Sequence, residues 1–334
     1  MKIIFAGTPE VAVPTFEALV ASEHTVVAVL TRSAKPKGRS KTLVPSEVAV
    51  AAQAHNIPVI EADSLRSAEV QTQLAALQAD LGVVVAYGAI IPQTVLDLLP
   101  HGWINLHFSQ LPRWRGAAPV QRAIAAGDTT TAVNIFQLEA GLDTGPVYFS
   151  RTVEIDLDIN SGELLDSLAT SGAADVVSVV DGIAAGTAQA TAQDEAGATY
   201  AHMIKTADLL LDFTQPAQTV HNQVRACAPA PGAFTFLPDG KKLKVLRTKL
   251  TQIPQTLLTA HADPAAQTTA ESALVLAPGE LFITKKQVWV GTADAAVELI
   301  EVAPQGKNAM EAAAWARGAR LGDHPVLHDG KELA

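Results

Sequence analysis

An amide, an imidazole and a carboxylate occur at spacings that would let them act on one substrate. Asn105 and His107 are two residues apart in an apolar stretch, so a β-strand would direct both side chains to one face of its sheet. Asp143 follows one predicted strand later, in the turn GLDTG. An amide N–H can stabilise a developing oxyanion, while an imidazole and a carboxylate can move protons. These residue types predict an acyl-transfer centre that uses no metal.

The first half of the chain alternates strand and helix patterns, which predicts where this centre lies. Strands are predicted at residues 2–6, 25–30, 81–86, 103–107 and 132–138, and helices at residues 9–21, 46–54, 67–79, 93–99, 117–126 and 161–184. This alternation favours an α/β fold with a doubly wound, mostly parallel sheet covered on both faces. Sites in such sheets lie at the carboxyl ends of strands, where Asn105, His107 and Asp143 occur.

The second half predicts a smaller domain made of strands. Short strand patterns separated by turn residues occur at residues 234–237, 243–248, 273–276, 281–284, 288–291 and 296–302. This pattern is typical of a small OB-like β-barrel. We therefore predict a catalytic domain at residues 1–188, a linker at 189–214 and a C-terminal β-barrel at 215–334. Residues 251–269 are predicted to form a flexible loop.

Composition excludes several classes of protein. The chain has 334 residues, of which 48% are hydrophobic and 17% charged, so it is expected to fold into about two domains. The single cysteine, Cys227, excludes an internal disulfide framework and a thiolate-rich zinc site. Pro9 and Glu10 interrupt the N-terminal apolar segment, which argues against a signal peptide, and no apolar run reaches the roughly 20 residues that span a bilayer. We expect no membrane contact and a cytoplasmic location.

Glycine-rich phosphate-binding motifs are absent from the sequence. The segment GTPE follows the first predicted strand but lacks the further glycines of a dinucleotide-binding loop. It is better explained as a tight turn between a strand and a helix, so neither NAD nor ATP is indicated.

Positive charge is concentrated in two segments of an otherwise acidic chain. The net charge is −10, but residues 32–41 and residues 241–249 each carry five basic side chains. On charge alone, an ordinary solvated surface is the more common explanation for each segment. Arg113 and Arg115 also flank Trp114, an arrangement that suits either an anionic substrate group or cation–π packing.

Five motifs together resemble one enzyme family. FAGTPE at residues 5–10, VAYG at 85–88, NLH at 105–107, LPRWRGAAPVQR at 111–122 and GLDTG at 141–145 are similar to the methionyl-tRNA formyltransferases. The resemblance extends from residue 1 to about residue 320. It implies transfer of a one-carbon formyl group from 10-formyltetrahydrofolate to the α-amino group of methionine on initiator tRNA, for translation initiation. It also implies that Asn105, His107 and Asp143 are catalytic.

The resemblance assigns two further sets of residues. The expected folate-binding residues lie in two turns: Ala86, Tyr87, Ile90, Ile91 and Pro92 in the first, and Ser109, Gln110, Leu111 and Pro112 in the second. The expected tRNA-binding residues are the cations of the two basic segments: Lys35, Lys37, Arg39 and Lys41, and Lys241, Lys242, Lys244, Arg247 and Lys249.

Four residues depart from the family pattern, one of them Pro146, where the family often has an acid. Phe108 and Gln110 stand where the family usually has glycine and leucine, and Met203 stands where it has a lysine, with Lys205 two residues further on. Two alternatives are open: an N-formyltransferase that acts on an amino-sugar nucleotide, and a catalytically inactive folate- or RNA-binding module. A monomer is expected.

Overall fold

The structure, a computed structural model, describes residues 1–36, 42–254 and 276–329. The chain forms two compact units. The first comprises Met1–Pro119, Thr130–Glu154 and Leu164–His202, and the second comprises Val120–Thr129, Ile155–Glu163 and Met203–Ala334.

The first unit is built on a seven-stranded sheet. The described strands of this unit are β1 (Lys2–Gly7), β2 (Thr25–Thr31), β3 (Lys35–Pro36), β4 (Leu43–Val44), β5 (Val59–Glu61), β6 (Leu81–Val85), β7 (Trp103–His107), β8 (Arg115–Gly116), β9 (Thr130–Gln137), β10 (Val147–Glu154) and β11 (Tyr200–Ala201). Outside the seven-stranded sheet, β3 pairs with β4 and β8 pairs with β11. The sheet has the order β10-β9-β7-β6-β1-β2-β5. The pairs from β7 to β5 are parallel, and β9 and β10 are antiparallel. The predicted α/β fold with a mostly parallel sheet is confirmed.

Helices cover both faces of this sheet. The described helices of the first unit are α1 (Val13–Val20), α2 (Glu47–Ala54), α3 (Ala68–Ala76), α4 (Gln93–Leu96) and nearly all of α6 (Ser161–Ala184). The described helices that lie wholly or almost wholly in the second unit are α5 (Pro119–Ala126), α7 (Thr206–Leu209), α8 (Ala217–Cys227) and α9 (Ala312–Gly318). Along β1, Ile4 packs into a cluster with residues of α3 and α4, whereas Phe5 points the other way and contacts Phe16 of α1. None of these described helices combines the length and apolarity needed to cross a membrane.

A glycine and a tryptophan fix the strand that carries the predicted catalytic pair. All of β6 is buried, and a Cβ atom at Gly82 would lie 2.0 Å from the Trp103 ring, so only a hydrogen fits beneath that ring. The Trp103 indole Nε1 donates a hydrogen bond of 3.0 Å to the Val95 carbonyl. These contacts set the position of β7 against β6, two residues before Asn105.

Two strands of the sheet were absent from the sequence-based prediction. The strand β5 has only three residues, which is too short for a clear alternation pattern. The edge strand β10 is partly exposed along its length and carries Ser150 and Arg151, so its pattern is not that of a buried strand. The predicted long helix at residues 161–184 matches α6.

The second unit contains a six-stranded antiparallel sheet. Its strands are β12 (Ala233–Phe236), β13 (Lys242–Lys249), β14 (Leu281–Ile283), β15 (Val288–Gly291), β16 (Ala296–Pro304) and β17 (Met310–Glu311). The order is β12-β13-β16-β15-β14, with β17 beside β16. Phe236 of one edge strand bridges to His328, and Glu280, beside the other edge strand, bridges to Val326. The predicted domain of antiparallel strands is confirmed, whereas most of the predicted loop 251–269 and strand 273–276 lies outside the described residues.

Helix α8 was not predicted, because buried polar side chains hide its apolar pattern. Val220 and Val224 pack into the core of the sheet, but His221, Asn222 and Arg225 are buried beside them. The Arg225 guanidinium donates to the carbonyls of Asp156 and Ile159 and to Asn222 Oδ1. The Arg225 guanidinium and the Asn222 oxygen are thereby paired, as burial requires.

His221 is expected to make the protein less stable in acid. Its Nε2 lies 2.9 Å from the Leu157 carbonyl and its Nδ1 lies 2.9 Å from the Thr248 hydroxyl, so the neutral ring satisfies both partners. Burial lowers the pKa of His221, against the opposing effect of Asp158. The unfolded state therefore binds the proton more readily, and stability is lost as the pH falls below about 6.5 towards the lowered value, by at most ~1.4 kcal/mol per pH unit.

The measurement is the midpoint of thermal unfolding between pH 7.5 and pH 5. We expect the midpoint to fall less with acidification in His221→Gln than in the unchanged protein. His324→Gln, which removes an exposed histidine of the same unit, is the control and should leave the dependence intact. Equal acid sensitivity of all three proteins would contradict the assignment.

Candidate functional site

Asn105 presents an amide with free donors at the carboxyl end of β7. Its Cα pairs with Val84 on one side and Phe136 on the other, and its side chain is half-buried. Among the described residues, its side-chain amide makes no hydrogen bond to another protein group. An amide with unused N–H groups next to a sheet edge can donate to a substrate oxygen.

His107 has one nitrogen tied to the backbone and one facing a carboxylate. Nε2 lies 3.1 Å from the Trp114 carbonyl, which can only accept, so the proton is assigned to Nε2 in the neutral ring. Nδ1 lies 3.9 Å from Asp143 Oδ2, beyond direct hydrogen-bond distance. Only 6% of His107 is exposed. Nδ1 is therefore the nitrogen on the side of Asp143.

Asp143 is held in a strained turn. Its φ is +54°, a conformation uncommon for residues other than glycine. Its Oδ2 accepts a hydrogen bond of 2.7 Å from the Gly116 amide. At Gly145, which ends the turn, a Cβ would lie 1.8 Å from the Gln137 carbonyl, so only glycine fits. The structure thus brings the Asp143 carboxylate to His107, one strand away from Asn105.

The turn after β7 is held mainly by its own hydrogen bonds. Ser109 is fully buried and its hydroxyl donates to the Arg113 carbonyl over 2.7 Å, while Asn134 donates to the Ser109 carbonyl. The Ser109 side chain is thus engaged inside the turn, whereas Gln110 is exposed and Leu111 and Pro112 are half-exposed.

Phe108 is part of the protein interior. Only 6% of it is exposed, and its carbonyl accepts a hydrogen bond of 3.3 Å from the Thr131 hydroxyl. This departure from the family pattern fills the core beside β9.

The turn after β6 presents an apolar surface around one inward-facing tyrosine. Tyr87 is 2% exposed, and its hydroxyl donates to the Ala62 carbonyl over 2.6 Å. Burial raises the pKa of Tyr87 to about 12. Ala86 is exposed, Ile90 is 79% exposed, and Ile91 and Pro92 are half-exposed. The turn offers apolar groups to solvent, and the tyrosine anchors it.

The first unit contains a cavity of about 650 Å³. Its lining mixes apolar and polar side chains and consists of Gln93, Leu96, Asp97, Leu99, Pro100, His101, Gly102, Gln137, Leu138, Glu139, Ala140, Tyr148 and Ile183. In the sequence, the lining residue Gln93 directly follows Pro92, and the lining residue Ala140 lies three residues before Asp143. None of the nine residues expected to bind folate lines it.

Of the two arginines that flank Trp114, Arg113 makes the cation–π contact that was one of the two expected roles, whereas Arg115 has a protein partner. Arg113 stacks on Trp114, with its Cζ 4.5 Å from the ring centroid. Arg115 is fully buried and pairs with Glu195 over 2.8 Å, which raises the pKa of Arg115 and lowers that of Glu195. Arg115 is therefore engaged inside the protein and does not face a substrate.

The described basic residues of the second segment mostly have protein partners. Lys241 pairs with Asp239 over 2.6 Å, Lys244 donates to the Pro231 carbonyl over 2.7 Å, Lys242 lies 3.7 Å from the Phe234 ring centroid, and Arg247 pairs with Glu163. Lys249 and, in the first segment, Lys35 are exposed. Lys37, Arg39 and Lys41 lie outside the described residues.

Residues 1–180 match the formyl transferase family, and residues 203–320 match the formyl transferase C-terminal domain. The chain is 47% identical over 323 residues to the methionyl-tRNA formyltransferase of Bifidobacterium longum strain DJO10A, covering 96% of this chain and 98% of that protein. It is 44% identical over 321 residues to the methionyl-tRNA formyltransferase of Nocardioides sp. strain JS614, covering 96% of each.

Solved structures of the same fold are more distant in sequence. The N-formyltransferase of Helicobacter canadensis has a TM-score of 0.63 at 15% identity, covering 90% of this chain and 98% of that one. The methionyl-tRNA formyltransferase of Clostridium thermocellum has a TM-score of 0.54 at 15% identity, covering 75% of this chain and 94% of that one. At this identity the likeness concerns the fold alone.

Proposed function

The chain belongs to the formyl transferase family, and from that premise we propose that it transfers a formyl group to the α-amino group of methionine on initiator methionyl-tRNA. The observation that carries this proposal is the identity of 44–47% to methionyl-tRNA formyltransferases over 96% of the chain, which includes both domains. The product serves the initiation of translation.

Asn105 is proposed to stabilise the oxygen on which negative charge develops. When an uncharged amine attacks a formyl carbon, the formyl oxygen becomes an oxyanion. The Asn105 amide has unused N–H groups, and one such donor often contributes ~3 kcal/mol of transition-state stabilisation. His107 can add a second donor only through Nδ1 of a protonated ring, because the Nε2 proton is bound to the Trp114 carbonyl and Nδ1 of the neutral ring carries none.

Asp143 is proposed to accept the proton of the attacking amine and to pass it to the folate nitrogen, which leaves as tetrahydrofolate when its bond to the formyl carbon breaks. One carboxylate oxygen is bound by the Gly116 amide, which leaves the other oxygen available. His107 Nδ1 lies 3.9 Å from Oδ2, the oxygen that the Gly116 amide binds, so a proton can pass between His107 and this carboxylate through a water molecule.

The expected co-substrate, 10-formyltetrahydrofolate, fits the exposed apolar surface of the loops. It supplies the formyl group as a carbonyl bound to nitrogen. Ile90 and Leu142, on the loops after β6 and β9, are 79% and 57% exposed, and large exposed side chains of this kind suit a flat heterocycle. Ala86, Ile90, Ile91 and Pro92, with Gln110, Leu111 and Pro112, are the proposed binding residues; Tyr87 and Ser109 would act by holding the two turns.

Contact with tRNA is proposed for both basic segments. Lys249 is exposed on β13 and is available to phosphates, and Lys244, also exposed, has two further protons to donate besides the one bound by the Pro231 carbonyl. Lys35, which belongs to the first segment, is exposed in β3. The predicted domain boundaries, a monomeric state and a cytoplasmic location are further proposals, and the two family matches support the boundaries.

One assay separates this function from its alternatives. The purified protein is given 10-formyltetrahydrofolate and either methionyl initiator tRNA, uncharged initiator tRNA or an amino-sugar nucleotide. We expect formylation of the charged tRNA only. Preferred formylation of the sugar nucleotide would establish the first alternative, and binding of folate or tRNA without turnover would establish the inactive module.

A further inference from the structure

Gln193 joins the two ends of the Asp143 turn through a single amide group. Its Nε2 donates hydrogen bonds of 2.8 Å to the Asp143 carbonyl and 2.7 Å to the Gly145 carbonyl. The two carbonyls flank Thr144, so both protons of one NH₂ group are used to close the turn.

A buried arginine fixes which way the Gln193 amide points. Its Oε1 accepts from Arg115 Nε over 3.1 Å and from Arg115 Nη2 over 2.8 Å. An arginine only donates, so the oxygen must face Arg115 and the NH₂ group must face the turn. Glu195 completes the guanidinium's pairing over 2.8 and 2.9 Å.

The segment that carries Gln193 is itself paired with the residues around Trp114 and Arg115. The Arg115 amide donates to the Thr199 carbonyl over 2.9 Å, and β11 pairs in parallel with β8. The Trp114 amide donates to the Thr199 hydroxyl over 2.9 Å. Residues predicted to form the start of a linker are thus bound to the turn that follows His107.

Asp143 needs such support because its own backbone conformation is unfavourable. Its φ of +54° is one that residues other than glycine rarely adopt, and it persists only where surrounding contacts enforce it. Its carboxylate meets the Gly116 amide only if the turn keeps this shape. Releasing the turn would move the carboxylate away from His107.

We propose that Gln193 is a positioning residue for formyl transfer, which acts by holding the Asp143 turn and thereby the Asp143 carboxylate. The inference rests on the proposed function for its kinetic readout. Gln193 serves the reaction without contributing a proton or a donor to the reacting atoms. A displacement of about 1 Å in a reacting group can lower a rate by ~10²-fold.

Two substitutions separate the hydrogen bonds that Gln193 donates to the turn from those that it accepts from Arg115. Gln193→Glu keeps an oxygen for Arg115 but has no proton to donate to the two carbonyls, and Gln193→Leu removes both functions. We expect each to lower kcat by about 10- to 100-fold while the KM values for tRNA and formylated folate change less than about threefold. The glutamate variant tests the proposal even if the leucine variant does not fold.

A matched control comes from the second unit. Gln223 Nε2 also donates to two backbone carbonyls, those of Asp208 and Leu210, over 2.9 and 2.8 Å. Gln223→Leu should lower the unfolding midpoint without lowering kcat. Loss of kcat in Gln223→Leu equal to that in Gln193→Leu would show a general stability effect and overturn the proposal.

Hydrogen exchange gives a readout that does not depend on activity. Because the Gly116 amide donates to the Asp143 carboxylate, its exchange should quicken in both Gln193 variants and stay unchanged in Gln223→Leu. Unchanged Gly116 exchange together with unchanged kcat would overturn the proposal. If the unchanged protein formylates no tRNA while Gly116 exchange still responds, the proposed function fails and the structural role of Gln193 stands.

Discussion

Replacement of Asn105 by alanine is expected to lower kcat by about 10²- to 10³-fold, which corresponds to the loss of one oxyanion donor. The amide makes no hydrogen bond to the described part of the protein, so its removal leaves no protein group unpaired. The unfolding midpoint should therefore change little. The rate loss is expected mainly in kcat, because the donor acts on charge that develops only in the transition state.

Asn105→Asp is the variant that tests whether the Asn105 amide donates a hydrogen bond to the oxyanion. It keeps the size and shape of the side chain but replaces the donating NH₂ group with an oxygen that repels an oxyanion. Single-turnover formylation of methionyl initiator tRNA should be at least as slow in Asn105→Asp as in Asn105→Ala. If the aspartate variant were near normal while the alanine variant was slow, the amide would serve by filling space, and the oxyanion role would be wrong.

Sequence patterns predicted the central strands because burial there is continuous. The five residues of β6 are all buried, and β7 ends in the alternation that places Asn105 and His107 on one face. The turn GLDTG was also recognisable, because glycine is typical of turns. In the structure, only glycine at position 145 fits beside the Gln137 carbonyl. Patterns of this kind are local, and local patterns are legible in one sequence.

Partners far apart in the chain could not be predicted in the same way. Arg115 meets Gln193 and Glu195 across 78 and 80 residues, and the Tyr87 hydroxyl meets Ala62 across 25 residues. A tyrosine in a solvent-facing turn gives no local sign that its ring turns inward. Helix α8 was missed by the prediction for a related reason. Its buried His221 and Arg225 are hydrogen-bonded to carbonyls of residues 156–159, which lie far from the helix in the sequence.

Asp143→Asn is expected to lower kcat by about 10²- to 10⁴-fold, the range that proton transfer by a positioned side chain contributes. The substitution is conservative in shape. An asparagine oxygen can still accept from the Gly116 amide, so the turn held by Gln193 is kept while the negative charge is lost. A large rate loss with an unchanged unfolding midpoint would therefore report the loss of the proton acceptor itself.

The comparison with Gln193→Glu then distinguishes the chemical group from its position. Asp143→Asn removes the acceptor and should leave Gly116 exchange slow, whereas Gln193→Glu keeps the acceptor and should quicken that exchange. Asp181→Asn, at a carboxylate that is 60% exposed and pairs with His24, is the matched control and should be fully active. A kcat for Asp143→Asn within about threefold of the unchanged protein would mean that water or His107 Nδ1 takes the amine proton, because the carboxylate would then be dispensable.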